Sequence, residues 1–238
     1  MTYEDYARLQ CVNWQKKMLK PSWGLGHAAK SIQNKMNEKI PQKVHDIATE
    51  SIKNMVKTVL FGSEITTRRQ PLNGLSLQAR ETRVREKLKI YKRTASVEGA
   101  GTGAGGFWLA LADFPMLLSI KMKFLYDVAA IYGYNVRDYS ERLYLLHIFQ
   151  VAFSSEEKRI ESVWQLKHWQ TTLQAYPSLD NLDWQAFQQE YRDYMDLAKL
   201  MQLIPGFGAI VGAVVNYRFL DRLGTTAMNA YRLRILDC

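Results

Sequence analysis

The side chains of this 238-residue chain best equipped for chemistry are four histidines, two cysteines and one aspartate inside an apolar run. His27, His45, His147 and His168 do not pair with a cysteine or with one another at metal-ligand spacing, and no HExxH occurs, so no metal site is expected. His147 lies in Leu145-Leu146-His147-Ile148-Phe149, where a hydrogen-bonded core histidine is the expectation. No GxSxG elbow is present to present a serine nucleophile. Cys11, near Lys16 and Lys17, reads as a surface thiol, and Cys238 is the last residue printed. Secreted disulfide frameworks use more cysteines at closer spacing, so a reducing, cytoplasmic setting is expected. Asp113 interrupts an apolar stretch. It could act as an acid/base group with Asn216 in a hydrolase, or form a buried structural polar pair with it. No residue is assigned as catalytic, and no cofactor is implied.

Gly101, Gly103 and Gly106 match GxGxxG in form. A dinucleotide fingerprint needs a strand before it and an acid on a second strand after it. Here a basic helical pattern precedes it and no strands are visible, and no Lys-Ser/Thr pair follows to make a phosphate loop. Spacing offers another reading. Gly101 and Gly105 are four apart, as are Gly208 and Gly212, and on a helix such pairs make a flat groove that a neighbouring backbone can approach. An offset of 103 aligns the two segments, setting Gly103 on Gly206, Gly105 on Gly208, Ala110 on Ala213 and Asp113 on Asn216. The expectation is two close-packed glycine-rich apolar helices in the middle of the fold. Both runs, 106–120 and 203–215, are shorter than the ~20 residues a bilayer span needs.

Charge is unevenly placed. Lys and Arg number 32 against 23 Asp and Glu, a formal +9. Residues 1–98 hold 19 Lys and Arg against 9 Asp and Glu, whereas residues 99–238 hold 13 against 14. A basic block of this kind meets an acidic partner, an anionic lipid surface or nucleic acid, unless it is merely a solvated face. At about 100° per residue, Ile40, Val44, Ile47, Ile52, Met55, Val56, Val59 and Leu60 share one arc, with Lys39, Lys43, Lys53 and Lys57 opposite. In the next helix, about 77–96 with Ser76 as cap, Leu77, Val84, Leu88, Tyr91 and Ala95 form a narrow stripe. Arg80, Arg83, Arg85, Lys87, Lys89, Lys92 and Arg93 cover most of the rest, opposed only by Glu81 and Glu86. Long cations beside an apolar stripe suit an anionic surface, because their stems lie along apolar material while their heads stay wet. They also suit a phosphate backbone. The scarcity of interleaved aromatics ranks nucleic acid lower.

The elements that must carry these residues are helical nearly throughout, over about 3–19, 27–61 with a break or fresh start at Pro41, 77–96, 106–133, 138–153, 156–175, 183–203 and 208–236. No alternating β-branched runs and no dividing linker are found. The expected fold is all-α: one domain of about eight helices spanning 1–238, with basic N-terminal helices over 1–75.

Gly101-Thr-Gly-Ala-Gly-Gly-Phe-Trp-Leu-Ala-Leu-Ala-Asp-Phe-Pro115, followed by Tyr132-Gly-Tyr134, resembles the hallmark of the bacterial EcsC family. So does Ile204-Pro-Gly-Phe-Gly-Ala-Ile-Val-Gly-Ala-Val-Val-Asn-Tyr217, with Ala230-Tyr-Arg232 near the end. The similarity covers 75–236 most clearly. Phe107-Trp108 stand where smaller or leucine-rich residues are expected. The family takes its name from the third product of an operon encoding an ABC transporter. The resemblance implies an all-helical, membrane-associated or transporter-accessory protein and brings no catalytic residues with it. The function expected is therefore non-enzymatic and peripheral, on the inner face of the cell membrane. Its partner would be anionic lipid or an acidic protein, including a membrane transporter, met through the cations at 53, 57 and 80–93.

Overall fold

The computed structural model describes residues 1–20, 42–61, 74–104, 114–153, 156–176 and 208–238. Eight helices occur among them: α1 (Tyr3–Leu19), α2 (Gln42–Phe61), α3 (Leu77–Ala104), α4 (Phe114–Tyr132), α5 (Tyr139–Phe153), α6 (Glu156–Lys167), α7 (Trp169–Ala175) and α8 (Gly208–Leu236). The all-α expectation holds, and one continuous apolar core joins these helices.

Local chemistry explains where the helices begin and end. Thr2 and Asp5 form a reciprocal capping box on α1, with Asp5 N donating to Thr2 Oγ1 and Thr2 N donating to Asp5 Oδ2 at 2.8 Å. Ser76 Oγ accepts from Ala79 N at 3.3 Å, the cap expected for α3. α2 is described from Gln42, and the break or fresh start expected at Pro41 lies outside the described residues. α4 ends in a Schellman turn, with Gly133 N donating to Ala130 O and Tyr134 N to Ala129 O, both at 3.0 Å. Gly133 takes φ +90° there, a conformation that a Cβ would strain.

Several boundaries differ from the sequence expectation. α3 does not stop near 96 but continues through Gly99, Gly101 and Gly103 to Ala104. Glycine costs a helix only about 1 kcal/mol per residue, so a long helix can run on through it. The next helix is described over Phe114–Tyr132, and the part of the expected 106–133 helix before Phe114 lies outside the described residues. The expected 156–175 helix is broken at His168 into α6 and α7. The helix expected over 183–203, and the segments 21–41 and 105–113, lie outside the described residues.

The helix enclosed on all sides is α5, whose residues from Leu143 to Phe153 are all buried. A helix apolar around its whole circumference belongs inside a bundle. The glycine segments stand instead at the end of α3 and the start of α8, so a pair of glycine-rich helices at the centre is not what the described residues show. His147 is the hydrogen-bonded core histidine expected, with Nδ1–H donating to Leu143 O at 2.9 Å and the ring edge-on to Trp169. Around α5 the most extensive packing is between α3 and α8. α4 lies against α3, α2 against α4 and α5, and α1 against α8 and α6.

Candidate functional site

α3 and α8 pair antiparallel in a register that three contacts fix. Glu81 meets Arg232, Leu88 meets Gly224, and Lys92 meets Asp221. The stripe of α3 that faces α8 is Leu77, Glu81, Val84, Leu88, Lys92 and Ala95, each buried, at steps of four and three. Two charged residues therefore sit on the core side of α3. Glu81 has no exposed surface. It accepts from Arg232 Nε at 2.7 Å, Arg232 Nη2 at 2.5 Å, Tyr3 Oη at 2.6 Å and Arg85 Nη2 at 3.1 Å. Burial disfavours the Arg232 charge, but the Glu81 carboxylate outweighs it and raises the guanidinium pKa above its ordinary value. Lys92 is ion-paired with Asp221 and lies 4.4 Å from the centre of the Tyr217 ring.

A second buried carboxylate, Glu141 at the start of α5, accepts from Arg234 Nη1 at 2.7 Å and from the Tyr231 hydroxyl. Tyr231 stacks on Tyr132 at 4.5 Å and 17°, which joins the two ion-pair clusters at one end of the bundle. Both motifs quoted above, Tyr132-Gly-Tyr134 and Ala230-Tyr-Arg232, meet there. Every charge in these clusters has a counter-charge among the described residues, so the arrangement binds helices together.

The nine cations singled out in the sequence divide by what α3 packs against. Arg80 Nη1 donates to Tyr132 O at 2.7 Å, Arg85 is held by Glu81 and Tyr3, Lys87 lies 3.5 Å from Asp127, and Lys92 is buried on Asp221. On α2, Lys53 lies 3.4 Å from Glu50 and Lys57 is exposed. Arg83, Lys89 and Arg93 are exposed, and none makes an ion pair among the described residues. These three share one outward face. Along it Arg83, Glu86, Ile90, Arg93 and Val97 follow one another at steps of three and four, all exposed.

The apolar stripe of α3 therefore does not lie on an outer surface, because α8 covers it. The apolar residues on the outer face are two others, Ile90 at 58% and Val97 at 72% exposure. Sequence reasoning missed them because neither falls on the core stripe. It also missed Glu81 and Lys92 as core residues, although their spacing from Leu77, Leu88 and Ala95 was the signal. Gly101, Gly208 and Gly212 are helical residues of α3 and α8, whereas Gly105 lies outside the described residues. Asn216 is buried, and Asp113 lies outside the described residues, as does any contact between them.

Cys11 is not a surface thiol. It is fully buried on α1 and disulfide-bonded to Cys238, whose Cα is 6.5 Å away, so α1 and the second residue after α8 are covalently joined. Docking of α1 on α8 brings together two cysteines that lie 227 residues apart. Among the described residues no helix is long and apolar enough to cross a membrane.

The EcsC protein family profile matches residues 7–236. The chain is 42% identical to the protein EcsC of Bacillus subtilis (strain 168) over 236 residues, covering 99% of this chain and 98% of that one. It is 30% identical over 148 residues to the uncharacterized protein YdbA of the same organism, covering 61% of this chain and 54% of YdbA. No solved structure matches. A match running from α1 to the last residue of α8, through both glycine segments and the tyrosine–arginine end of the bundle, places this chain in the EcsC protein family.

Proposed function

We propose that the protein is a non-enzymatic accessory protein that docks on an anionic membrane surface through the outer side of α3. The observation that carries this reading is the sorting of the cations. Of those on α3 that face other helices, Arg85, Lys87 and Lys92 are ion-paired and Arg80 is held by the Tyr132 carbonyl, while Arg83, Lys89 and Arg93 gather on one outward face without a counter-ion among the described residues. Lys57 on α2 adds a further exposed cation. Exposed charges that form no internal pair contribute little to stability. Their concentration on one face gives a local positive field that draws an anionic surface at short range.

Co-sedimentation with anionic and with zwitterionic vesicles, each at low and high salt, tests the proposal. Binding to anionic vesicles alone, weakened by salt and lost in Arg83→Glu/Lys89→Glu/Arg93→Glu, is the expected outcome. Equal, salt-insensitive binding to both vesicle types, or no binding, sinks it. A steep salt slope on duplex DNA with no vesicle binding would move the same face to nucleic acid.

A further inference from the structure

We infer that the partner of the outer α3 face is a lipid bilayer and that Ile90 and Val97 are the residues that enter it. This rests on the reading of that face as an anionic-surface contact and names its occupant. Ile90 and Val97 are 58% and 72% exposed, although α3 has a buried stripe available for apolar residues. They stand seven residues apart on the same side of the helix, about 10 Å along its axis. Arg83 and Arg93 lie on the same ladder, one on the N-terminal side of Ile90 and one between the two aliphatics, with Lys89 adjacent. Glu86 is the one acid on this ladder.

Each alternative occupant fits this face less well. Phosphates of a nucleic acid backbone pair with Arg83, Lys89 and Arg93 but leave Ile90 and Val97 against water or charge. A protein interface of ordinary strength is built around aromatic anchors in a packed patch, and this ladder holds no aromatic residue. At a bilayer surface both sets of side chains are satisfied at once. The aliphatics reach the acyl boundary, and the cations stretch back to the phosphate level with their stems along the apolar layer. The helix lies flat in the interface and does not cross it.

Three proteins separate the outcomes: the parent, Ile90→Ser/Val97→Ser, and Arg83→Gln/Arg93→Gln. All four positions are exposed, so each variant should keep the parent's circular dichroism and melting temperature. Binding is measured to vesicles of equal parts phosphatidylglycerol and phosphatidylcholine, and to soluble polyglutamate, which carries charge without acyl chains. The arginine variant should lose both ligands. The serine variant should bind the vesicles about tenfold more weakly and polyglutamate as the parent does. If the serine variant binds vesicles as tightly as the parent, insertion is overturned while the charge-based reading stands. If the parent binds polyglutamate but not vesicles, the partner is an acidic protein surface and the bilayer inference is overturned. If the parent binds neither, both readings fall together.

Discussion

Glu81 and Arg232 are joined by two hydrogen bonds, 2.7 and 2.5 Å, between residues 151 apart in sequence, with the carboxylate wholly withdrawn from solvent. Eleven residues further along α3 and eleven residues back along α8, Lys92 meets Asp221. The two pairs have opposite polarity, since α3 supplies the acid in one and the base in the other. Sliding one helix against the other, or reversing it, would leave buried charges without partners. They therefore fix both register and direction.

Removing one partner should be far worse than removing both. Arg232→Met alone should destabilise the fold by about 2–3 kcal/mol, because it takes two of the four hydrogen bonds from a buried carboxylate and leaves it only Tyr3 and Arg85. Glu81→Leu/Arg232→Met should recover most of that loss. Urea unfolding of the three proteins decides the matter, and equal losses in the single and double variants would show that the pair does not act as a unit.

α3 and α8 approach closely at Gly224, where an added Cβ would come within 2.6 Å of Leu88 Cδ2. Gly224→Val should cost about 1–3 kcal/mol by overpacking. In a Leu88→Ala background the same substitution should cost much less, so a double-mutant cycle should show coupling between the two positions.

The same register, projected nine residues beyond the Lys92–Asp221 pair, predicts Gly101 level with Gly212. Gly212→Leu should then destabilise the protein, whereas Gly74→Ala, with nothing within 4 Å of its added Cβ, should show only the strain of a φ of +88°. A Gly212→Leu protein with wild-type stability would defeat the close-packing reading of these glycines.

His147 provides a pH test. Burial lowers its pKa from 6.5 to about 4, with the hydrogen bond to Leu143 O opposing the shift. Between those values the unfolded chain holds the proton and the folded one does not, so stability falls as pH drops from 6.5 to 4. The full drop amounts to about 3 kcal/mol. Denaturation midpoints taken across that window should decline in the parent and stay flatter in His147→Phe.

Lys121 gives the opposite end of the pH scale. The residue is 3% exposed, its ammonium group donates to Leu117 O at 3.2 Å and lies 5.8 Å from the Phe219 ring centre, and burial lowers its pKa from 10.5 to about 7. The unfolded chain carries that proton up to pH 10.5 and the folded chain only up to about 7, so stability should rise with pH across the interval. Lys121→Met should remove this slope and raise stability at pH 7 by roughly 2–4 kcal/mol. An unchanged slope in the variant would mean that another group titrates there.

The disulfide should hold α1 in place. α1 buries few side chains, Ala7, Cys11, Trp14 and Gln15, and its other ties are polar ones such as Gln15 Nε2 to Cys238 O at 3.0 Å. Reduction should cost about 2–4 kcal/mol. The parent should lose that much in urea titrations with reductant, and Cys238→Ser should respond to reductant not at all.

Much of the fold was legible in local pattern. Helix periodicity and caps act within a few residues, so Ser76, the apolar stripe of α3 and the core placement of His147 could all be read from residue order. The EcsC motifs marked the family for the same reason, being short runs with fixed spacing. Residue order also confined the excess positive charge to the early part of the chain. Only the tertiary structure decided which of those cations face outward. Whether Arg85 or Lys92 is neutralised depends on an acid that another helix brings up, and sequence distance says nothing about that. The same holds for Cys11 and Cys238 and for Leu88 against Gly224. Helical periodicity fixes which face a residue occupies, whereas its partner is fixed by the docking of helices whose contacts span most of the chain.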